Sequence, residues 1–361
     1  MEQKVRIAVI GTGWWATYAH LPALGQRSDV ELVALADRGA ENLEKAADMF
    51  GVANTYTDYR AMLDREKLDG VVVAASHAVH YDAVLAALEH DCHVLVEKPL
   101  TLEGKQARHL GDLAQKRAKS IVLSCPWGFT RHTQRARQVV MSGELGEVRM
   151  VASLFSSWAY ETYGGDEARI DAIYDRGLFG KTVIRPSTDA NVDPHAGGGQ
   201  GWCQMSHAIA LLLRVTELRA ATVCAFMDHL DVDVDVVDAI SARLSNGAVC
   251  TLASTGQIPA GDAGQHQLCV YASGGYLILD AIEGTLTVCH RDTGIETSPR
   301  LTPDERYPRF APAKNFIDVI LGRAENQAPC EMGCGTVELL EAAYQSAANE
   351  GKSVTVTGDH G

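Results

Sequence analysis

Long hydrophobic runs are absent from this chain of 361 residues. None of its apolar stretches approaches the roughly 20 residues that span a bilayer, so we expect no transmembrane helix. Dense lysine and arginine runs are absent too, and 32 basic against 46 acidic residues give a net charge of -14. This charge argues against nucleic acids and anionic membrane surfaces as partners, because both attract positively charged proteins.

Two further absences concern cysteine chemistry and targeting. The nine cysteines include no Cys-x-x-Cys pair, and their odd number argues against a disulfide framework. The residues after Met1 lead into an apolar run that is too short for a secretory signal core. We therefore expect reduced thiols and a cytoplasmic protein. No tight cluster of His, Asp and Glu indicates a metal site, so no metal is expected.

Short apolar runs alternate with helical patterns over the first third of the chain. Strands are predicted at 5–10, 30–36, 70–74, 93–96 and 120–124, and helices at 14–24, 40–50, 79–89 and 102–119. This alternation is typical of βαβ units in a doubly wound parallel sheet, the Rossmann arrangement.

The pattern changes near residue 125. Strands then follow one another with few helices between them, at 147–155, 220–226, 235–244, 248–254, 267–272, 276–280 and 285–290. Helical patterns flank them at 133–142, 205–215, 313–321 and 337–350. We therefore predict an α/β chain of two domains, a Rossmann domain at 1–124 and an α+β domain at 125–361 with a large, mostly antiparallel open sheet.

A glycine-rich turn follows the first predicted strand and opens the first predicted helix. Gly11 permits the tight turn, Gly13 lets the backbone approach a pyrophosphate, and Ala16 is small enough for close helix–strand packing. The N-terminus of the helix offers N–H groups and a partial positive charge to phosphate. Asp37 ends the second strand, where an acidic residue binds the ribose in such sites. The segment therefore predicts a dinucleotide site.

The residues after the second strand also bear on the choice of cofactor. The carboxylate of Asp37 repels a 2′-phosphate, which favours NAD. The guanidinium of Arg38 can hold that phosphate, so NADP stays possible.

A charged pair stands at the end of the strand predicted at 93–96. Glu97 and Lys98 lie at its carboxyl end, where ligands bind in open α/β sheets. A lysine there can donate a hydrogen bond to a substrate hydroxyl or carbonyl. Pro99 fixes the backbone after it, and such a bond can be cis. Taken alone, the pair would be interpreted as surface charges at a strand end.

With these motifs the chain resembles the glucose–fructose oxidoreductase and inositol dehydrogenase family of NAD(P)-dependent oxidoreductases. The resemblance covers nearly the whole chain. It rests on the turn at 11–16, on Glu97-Lys98-Pro99 and the helix before it, on 142–148, on the glycines 197–199 followed by His207, and on 341–346. It implies a Rossmann domain followed by a substrate-binding domain whose open sheet makes a homodimer or homotetramer contact.

The resemblance also implies roles for single residues. Lys98 lies beside the nicotinamide and the substrate, and His207 is the catalytic histidine. An imidazole titrates near neutral pH and can take a hydroxyl proton as hydride leaves the same carbon. The residues expected to contact the cofactor are Gly11, Gly13, Trp14, Trp15, Asp37, Arg38, Ser76, His77, His80, Glu97 and Lys98.

The chain departs from the family pattern in two places. Many members carry an aspartate four residues before the catalytic histidine, where this chain has Cys203, a much weaker hydrogen-bonding group. Gln204 or Asp193 could take over the contact with substrate, or the substrate lacks the usual hydroxyl pattern. The common Thr-Pro-Asn near the cofactor is replaced at 75–77, which predicts a difference in the detail of cofactor geometry.

Two residues at the predicted domain junction are candidates for substrate binding. Trp127 offers a ring face to a sugar, with a packed linker aromatic as an equal alternative, and Arg131 can bind hydroxyls or acids. A segment predicted as an irregular insertion carries Trp158, Tyr160, Tyr163, Arg169 and Arg185. This insertion either covers a bulky substrate group or makes an oligomer contact.

Together these features predict an NAD-dependent oxidoreductase that transfers a hydride between a ring hydroxyl of a sugar or glycoside and nicotinamide. The segment around Cys203 is reminiscent of family members that oxidise glycosides, which favours the 3-hydroxyl of a glucosyl unit. Three alternatives stay open: a glycoside-cleaving enzyme that retains NAD through a redox cycle, an inositol dehydrogenase, and a non-catalytic dinucleotide sensor. The presence of both Lys98 and His207 argues against the sensor.

Overall fold

The computed structural model describes residues 4–175, 184–185 and 188–356, and packing divides them into two compact units. The described residues of the first unit are 4–126, 184–185 and Arg309–Cys334. The described residues of the second unit are 127–175, Thr188–Pro308 and 335–356. The domain limits at 1–124 and 125–361 stay a prediction. In the packing of the described residues, Arg309–Cys334 belongs to the first unit, although it lies late in the sequence.

The first unit is built on a six-stranded parallel sheet with the strand order β3-β2-β1-β4-β5-β6. Its strands are β1 Val5–Ile10, β2 Val30–Ala36, β3 Asn54–Tyr56, β4 Gly70–Val73, β5 His93–Glu97 and β6 Ile121–Ser124. The central strands β1, β4 and β5 are almost wholly buried, as expected for parallel strands covered on both faces. The predicted doubly wound sheet is confirmed.

The second unit is built on a nine-stranded sheet with the order β14-β13-β12-β11-β7-β10-β9-β8-β15. Its strands are β7 Val148–Ser156, β8 Ala220–Asp228, β9 Val237–Leu244, β10 Val249–Thr255, β11 Gln265–Ala272, β12 Gly275–Asp280, β13 Thr285–His290, β14 Gly294–Thr297 and β15 Val354–Thr355. Only the pairing of β7 with β10 is parallel among these strands. The predicted mostly antiparallel sheet is confirmed.

One face of this sheet is buried and the other is open. Side chains alternate between buried and exposed along β9 and β10, which is the period of a half-covered strand. Large apolar side chains between 37% and 67% exposed lie on the open face: Met150, Leu154, Phe226, Val249 and Tyr271. Water therefore contacts apolar side chains of the three adjacent strands β11, β7 and β10 and of β8 beyond β9.

The helices of the described residues are α1 Leu21–Gly25, α2 Ala40–Phe50, α3 Tyr59–Arg65, α4 His80–Glu89, α5 Gly104–Lys116, α6 Arg131–Met141, α7 Tyr160–Tyr163, α8 Glu167–Asp175, α9 Ser206–Thr216, α10 Pro303–Arg306, α11 Ala311–Ile320 and α12 Cys330–Ala348. None of them combines the length and the apolar character that crossing a membrane requires. Helix α9 packs on the buried face of the second sheet, against β7 and β11.

The structure corrects the sequence prediction at several elements. The helix predicted at 14–24 consists of a π-helical turn, Ala16–His20, followed by α1. The segment predicted as an irregular insertion contains α7 and α8. Asp166 caps the start of α8, because its carboxylate accepts a hydrogen bond from the Arg169 N–H at 3.0 Å. Strand β3 and helix α3 were not predicted, because both are short and partly exposed.

Candidate active site

The turn after β1 has the local geometry of a dinucleotide site. Gly11 has a φ of +90°, and a Cβ there would lie 2.6 Å from the backbone of Ala74 at the end of β4. Only glycine can therefore occupy this position. Apart from Gly13 and its two chain neighbours, no described residue has an atom within 4 Å of a Cβ built on Gly13. The backbone at Gly13 is thus open to the close approach of a phosphate.

Asp37 binds the same turn from the end of β2. Its Oδ2 accepts hydrogen bonds from the N–H and the hydroxyl of Thr12 at 2.6 and 3.1 Å, and its Oδ1 accepts one from the Gly39 N–H at 2.8 Å. Each carboxylate oxygen can accept two hydrogen bonds, so Oδ1 has capacity for a ribose hydroxyl. The turn and Asp37 therefore fit NAD, although much of the carboxylate is used to hold the protein backbone.

Glu97 is engaged by a buried histidine. The Nε2 of His20 lies 2.7 Å from the Glu97 Oε1, and the His20 side chain is fully buried. Burial raises the pKa of the Glu97 carboxyl, but His20, Ser124 and Lys98 together outweigh it and leave the pKa below its usual range. Glu97 thus ties the end of β5 to the π-helical turn that follows the glycines. The next peptide bond, Lys98-Pro99, is cis.

His80 joins the two loops that flank this edge of the sheet. Its Nδ1 lies 2.7 Å from the Pro99 carbonyl, and its Nε2 lies 3.0 Å from the Ala75 carbonyl. Burial lowers the pKa of His80 despite these carbonyls. The ring of His77 packs edge-on against His80, with 5.7 Å between the centroids, and Ser76 is exposed. His80 therefore positions the turn that carries Lys98.

In the second unit, His207 belongs to a cluster of aromatic rings. It is the second residue of α9, and its exposed fraction is 9%. The ring of Trp127 stands edge-on to His207 at 5.0 Å between centroids, and the ring of Phe155 lies nearly parallel to His207 at 6.2 Å. Trp127 is half-buried and also contacts Tyr307 at 4.7 Å. The predicted base and the predicted sugar platform are thus in direct contact.

The sequence prediction missed a second histidine of this cluster. His266 on β11 lies 4.6 Å from the Trp127 ring and 4.9 Å from the ring of Phe155, its cross-strand neighbour. It is fully buried, and neither ring nitrogen has a hydrogen-bond partner among the described residues. Burial lowers the pKa of His266 to about 3, so the ring is neutral at physiological pH. The strand predicted at 267–272 did not include His266, so nothing in the sequence indicated that its side chain lies on the buried face.

The other predicted substrate contacts are spread over the second unit. Cys203 is buried in an apolar cluster with Tyr163 and lies 3.5 Å from the side-chain oxygen of Asn191. Asp193 is exposed and accepts a hydrogen bond from the His195 N–H. Gln204 lies in the π-helical turn Gly201–Met205 and is half-buried. Arg131 is the first residue of α6; its side chain is exposed and forms an ion pair with Glu305 at 3.4 Å.

Comparison with known proteins identifies the family. The model of an oxidoreductase family with an NAD-binding Rossmann fold matches residues 5–124, and the model of the GFO/IDH/MocA C-terminal domain matches residues 133–278. The chain belongs to the GFO/IDH/MocA oxidoreductase family. The resemblance inferred from the motifs and the NAD-binding Rossmann fold are thereby confirmed.

Relatives of this GFO/IDH/MocA chain include enzymes named for sugar substrates. A D-glucoside 3-dehydrogenase of Escherichia coli (strain K12) is 37% identical over 41% of this chain and 42% of that protein. A dTDP-3,4-didehydro-2,6-dideoxy-alpha-D-glucose 3-reductase of Saccharopolyspora spinosa is 34% identical over 56% of this chain and 63% of that protein. The aligned part of the chain spans about half the length of these curated relatives.

Two solved structures share the fold over nearly the whole chain. GenD2 from gentamicin A biosynthesis, in complex with NAD, has a TM-score of 0.78 and 22% identity, with 99% of this chain and 98% of that chain covered. The WlbA dehydrogenase from Bordetella pertussis, in complex with NADH and UDP-GlcNAcA, has a TM-score of 0.75 and 18% identity, with 98% and 100% covered. At these identities the likeness concerns the fold.

Proposed function

We propose that this GFO/IDH/MocA member is an NAD-dependent dehydrogenase that acts on a ring hydroxyl of a sugar or glycoside. The observation that carries the proposal is the position of Lys98. It follows β5, whereas the glycine turn follows β1, and β1, β4 and β5 are neighbours in one parallel sheet. Their carboxyl ends therefore share the edge at which ligands bind in such sheets.

The proposed chemistry divides between two side chains. Lys98 donates a hydrogen bond to the substrate oxygen and stabilises the negative charge that develops there. His207 accepts the hydroxyl proton as general base. A bound NAD would supply the acceptor for the hydride of the carbon that carries this hydroxyl. Gly11, Gly13 and Asp37 hold the dinucleotide, and Asp37 favours NAD over NADP.

The proposed substrate is a glucoside oxidised at its 3-hydroxyl. Support comes from the two relatives above, whose names both specify position 3 of a glucose ring. Trp127 provides the ring face against which a sugar can stack. We propose Arg131, Asp193, Cys203 and Gln204 as further substrate contacts. Because Cys203 is buried in an apolar cluster, Gln204 and Asp193 are better suited than Cys203 to bind a hydroxyl.

Turnover of glucosides tests this function. The protein is supplied with NAD and a series of methyl and aryl glucosides, free hexoses and inositols, and the absorbance of reduced cofactor is followed. We expect oxidation of glucosides, loss of turnover in His207→Ala and Lys98→Met, and retained NAD binding in His207→Ala. An inactive wild type across the whole series would refute the proposal. Disappearance of the glycoside without net reduction of NAD would instead indicate a redox-cycling cleavage.

We further propose that the open face of the nine-stranded sheet is an interface between copies of the chain. Its exposed apolar side chains on β7, β8, β10 and β11 favour association, because burying them removes apolar area from water. A cytoplasmic location fits the nine cysteines, none of which forms a disulfide in the described structure. Sedimentation of the wild type and of Phe226→Asp tests the interface, and a wild-type monomer would contradict it.

A further inference from the structure

A buried carboxylate that the sequence prediction left unassigned holds the start of the segment that carries His207. Asp235 precedes β9 and is 2% exposed. Its Oδ2 accepts a hydrogen bond from the Gly201 N–H at 2.6 Å, and its Oδ1 accepts one from the Tyr344 hydroxyl at 2.6 Å. Its carbonyl accepts a third from the Gln200 N–H at 2.8 Å. Asp235 thus binds two consecutive amides where the π-helical turn Gly201–Met205 begins.

The glycines of this segment make room for the carboxylate and for its partner. A Cβ on Gly199 would lie 2.2 Å from the Asp235 Oδ1, and a Cβ on Gly201 would lie 2.5 Å from the Tyr344 hydroxyl oxygen. Gly199 also has a φ of +93°, which strains other residues. The glycines at 199 and 201 are therefore explained by the close packing of Asp235 and Tyr344.

A second buried acid, Asp238, lies next to Asp235. Asp238 lies on the buried face of β9 and is 2% exposed. Burial and the neighbouring Asp235 raise the pKa of Asp238 well above its usual range, which favours the protonated form. In that form Asp238 adds no second negative charge beside Asp235. The other titratable groups around the pair are Tyr163, Tyr344 and Cys203.

We propose that Asp235 is a positioning residue, which fixes the turn Gly201–Met205 and through it the ring of His207. This inference rests on the proposed role of His207 as the base. A carboxylate suits the task for two reasons. It accepts several hydrogen bonds at once, and its charge is favourable next to the N–H groups at the start of a helix. Asp235 acts on the turn and has no step of its own in the reaction.

The test compares three variants of the full chain. Asp235→Asn keeps the shape of the side chain but removes its charge and leaves one acceptor oxygen, so the charge-assisted bonds from Gly201 and Tyr344 are replaced by weaker ones or lost. We expect kcat to fall on the order of 10²-fold, as a displacement of about 1 Å in a catalytic group produces, with an unchanged KM for NAD. Asp233→Asn, two residues earlier and exposed, is the matched control and should behave as the wild type.

Amide hydrogen exchange supplies a readout that does not depend on activity. In Asp235→Asn we expect faster exchange over residues 199–207 and unchanged exchange over residues 5–124. Wild-type kcat and exchange in this variant would overturn the proposal. If the wild type oxidises no sugar, the proposed function fails, and exchange alone decides: faster exchange at 199–207 supports the anchor, and unchanged exchange overturns it.

Tyr344→Phe covers the case in which Asp235→Asn does not fold. It removes one donor to Asp235 but keeps the ring stacked on Trp202, at 5.5 Å between centroids. We expect a smaller loss of kcat and a smaller increase of exchange over the same residues. Wild-type values of both in Tyr344→Phe would then overturn the proposal.

Discussion

Replacing His266 by leucine is expected to remove a pH dependence from the stability of the second unit. Burial lowers the pKa of His266 from 6.5 to about 3 in the folded chain, whereas the unfolded chain keeps the ordinary pKa near 6.5. Between these two values the unfolded state binds a proton that the folded state does not bind. The free energy of unfolding therefore falls as the pH is lowered through this range, and it is fully retained above pH 6.5.

The size of the effect follows from the difference between the two pKa values. One pKa unit corresponds to about 1.4 kcal/mol, so lowering the pH by about 2 units below 6.5 costs the wild type about 3 kcal/mol through this residue. Leucine binds no proton in either state. Any change in packing caused by leucine is the same at both pH values and cancels in the comparison.

Urea denaturation followed by tryptophan fluorescence measures this difference. Three of the five tryptophans, Trp127, Trp158 and Trp202, lie in the second unit and report on its unfolding. Wild type and His266→Leu are compared at neutral pH and at a pH of about 4.5, with the exposed His229→Leu as the matched control. An equal loss of stability in the wild type and in His266→Leu on acidification would refute the reasoning.

Three further predictions concern the first unit. Gly13→Ala should raise the NAD dissociation constant, because the added Cβ occupies the side from which the phosphate approaches the backbone. It should not lower the melting temperature, because this Cβ meets no described residue beyond its chain neighbours within 4 Å. Calorimetric titration checks the affinity, and wild-type affinity would contradict the prediction. Asp37→Ser should raise the affinity for NADP relative to NAD, since the repulsion of a 2′-phosphate is removed and Arg38 stays; an unchanged ratio of dissociation constants would count against it. His20→Ala should lower the free energy of unfolding by about 3–5 kcal/mol, because the Glu97 carboxylate loses a buried partner; urea denaturation measures it, and His20→Gln, which keeps an N–H donor, should lose less.

The parallel sheet was predictable from the sequence because its signals are local. Strand β1, the glycine turn and the acidic end of β2 each have a recognisable composition within a few residues. Strand β3 has no such signal, since it has three residues and none is buried. The sequence also could not reveal that Asp37 holds the backbone of Thr12, because that contact forms only when β1 and β2 pair.

The candidate site of the second unit was predictable only in part. His207 and Trp127 could be named from motifs, and their rings are in contact. His266 and Asp235 reach this neighbourhood through the pairing of strands distant in sequence, and nothing in the adjacent residues marks them. Asp235 accepts a hydrogen bond from an amide 34 positions earlier. The glycines at 199 and 201 are visible in the sequence, but the packing that requires them is visible only in the structure.

The two π-helical turns make these sites sensitive to the exact count of residues. Each turn holds one residue more than the α-helical path would, and each stands next to a histidine discussed above: Ala16–His20 ends on His20, the partner of Glu97, and Gly201–Met205 precedes His207, the proposed base. Removing one residue from either turn would rotate the flanking segments against each other by roughly 100°, because an α-helix has about 3.6 residues per turn. A single-codon deletion there would therefore change the direction of a side chain, whereas the same deletion in a surface loop would change only its length.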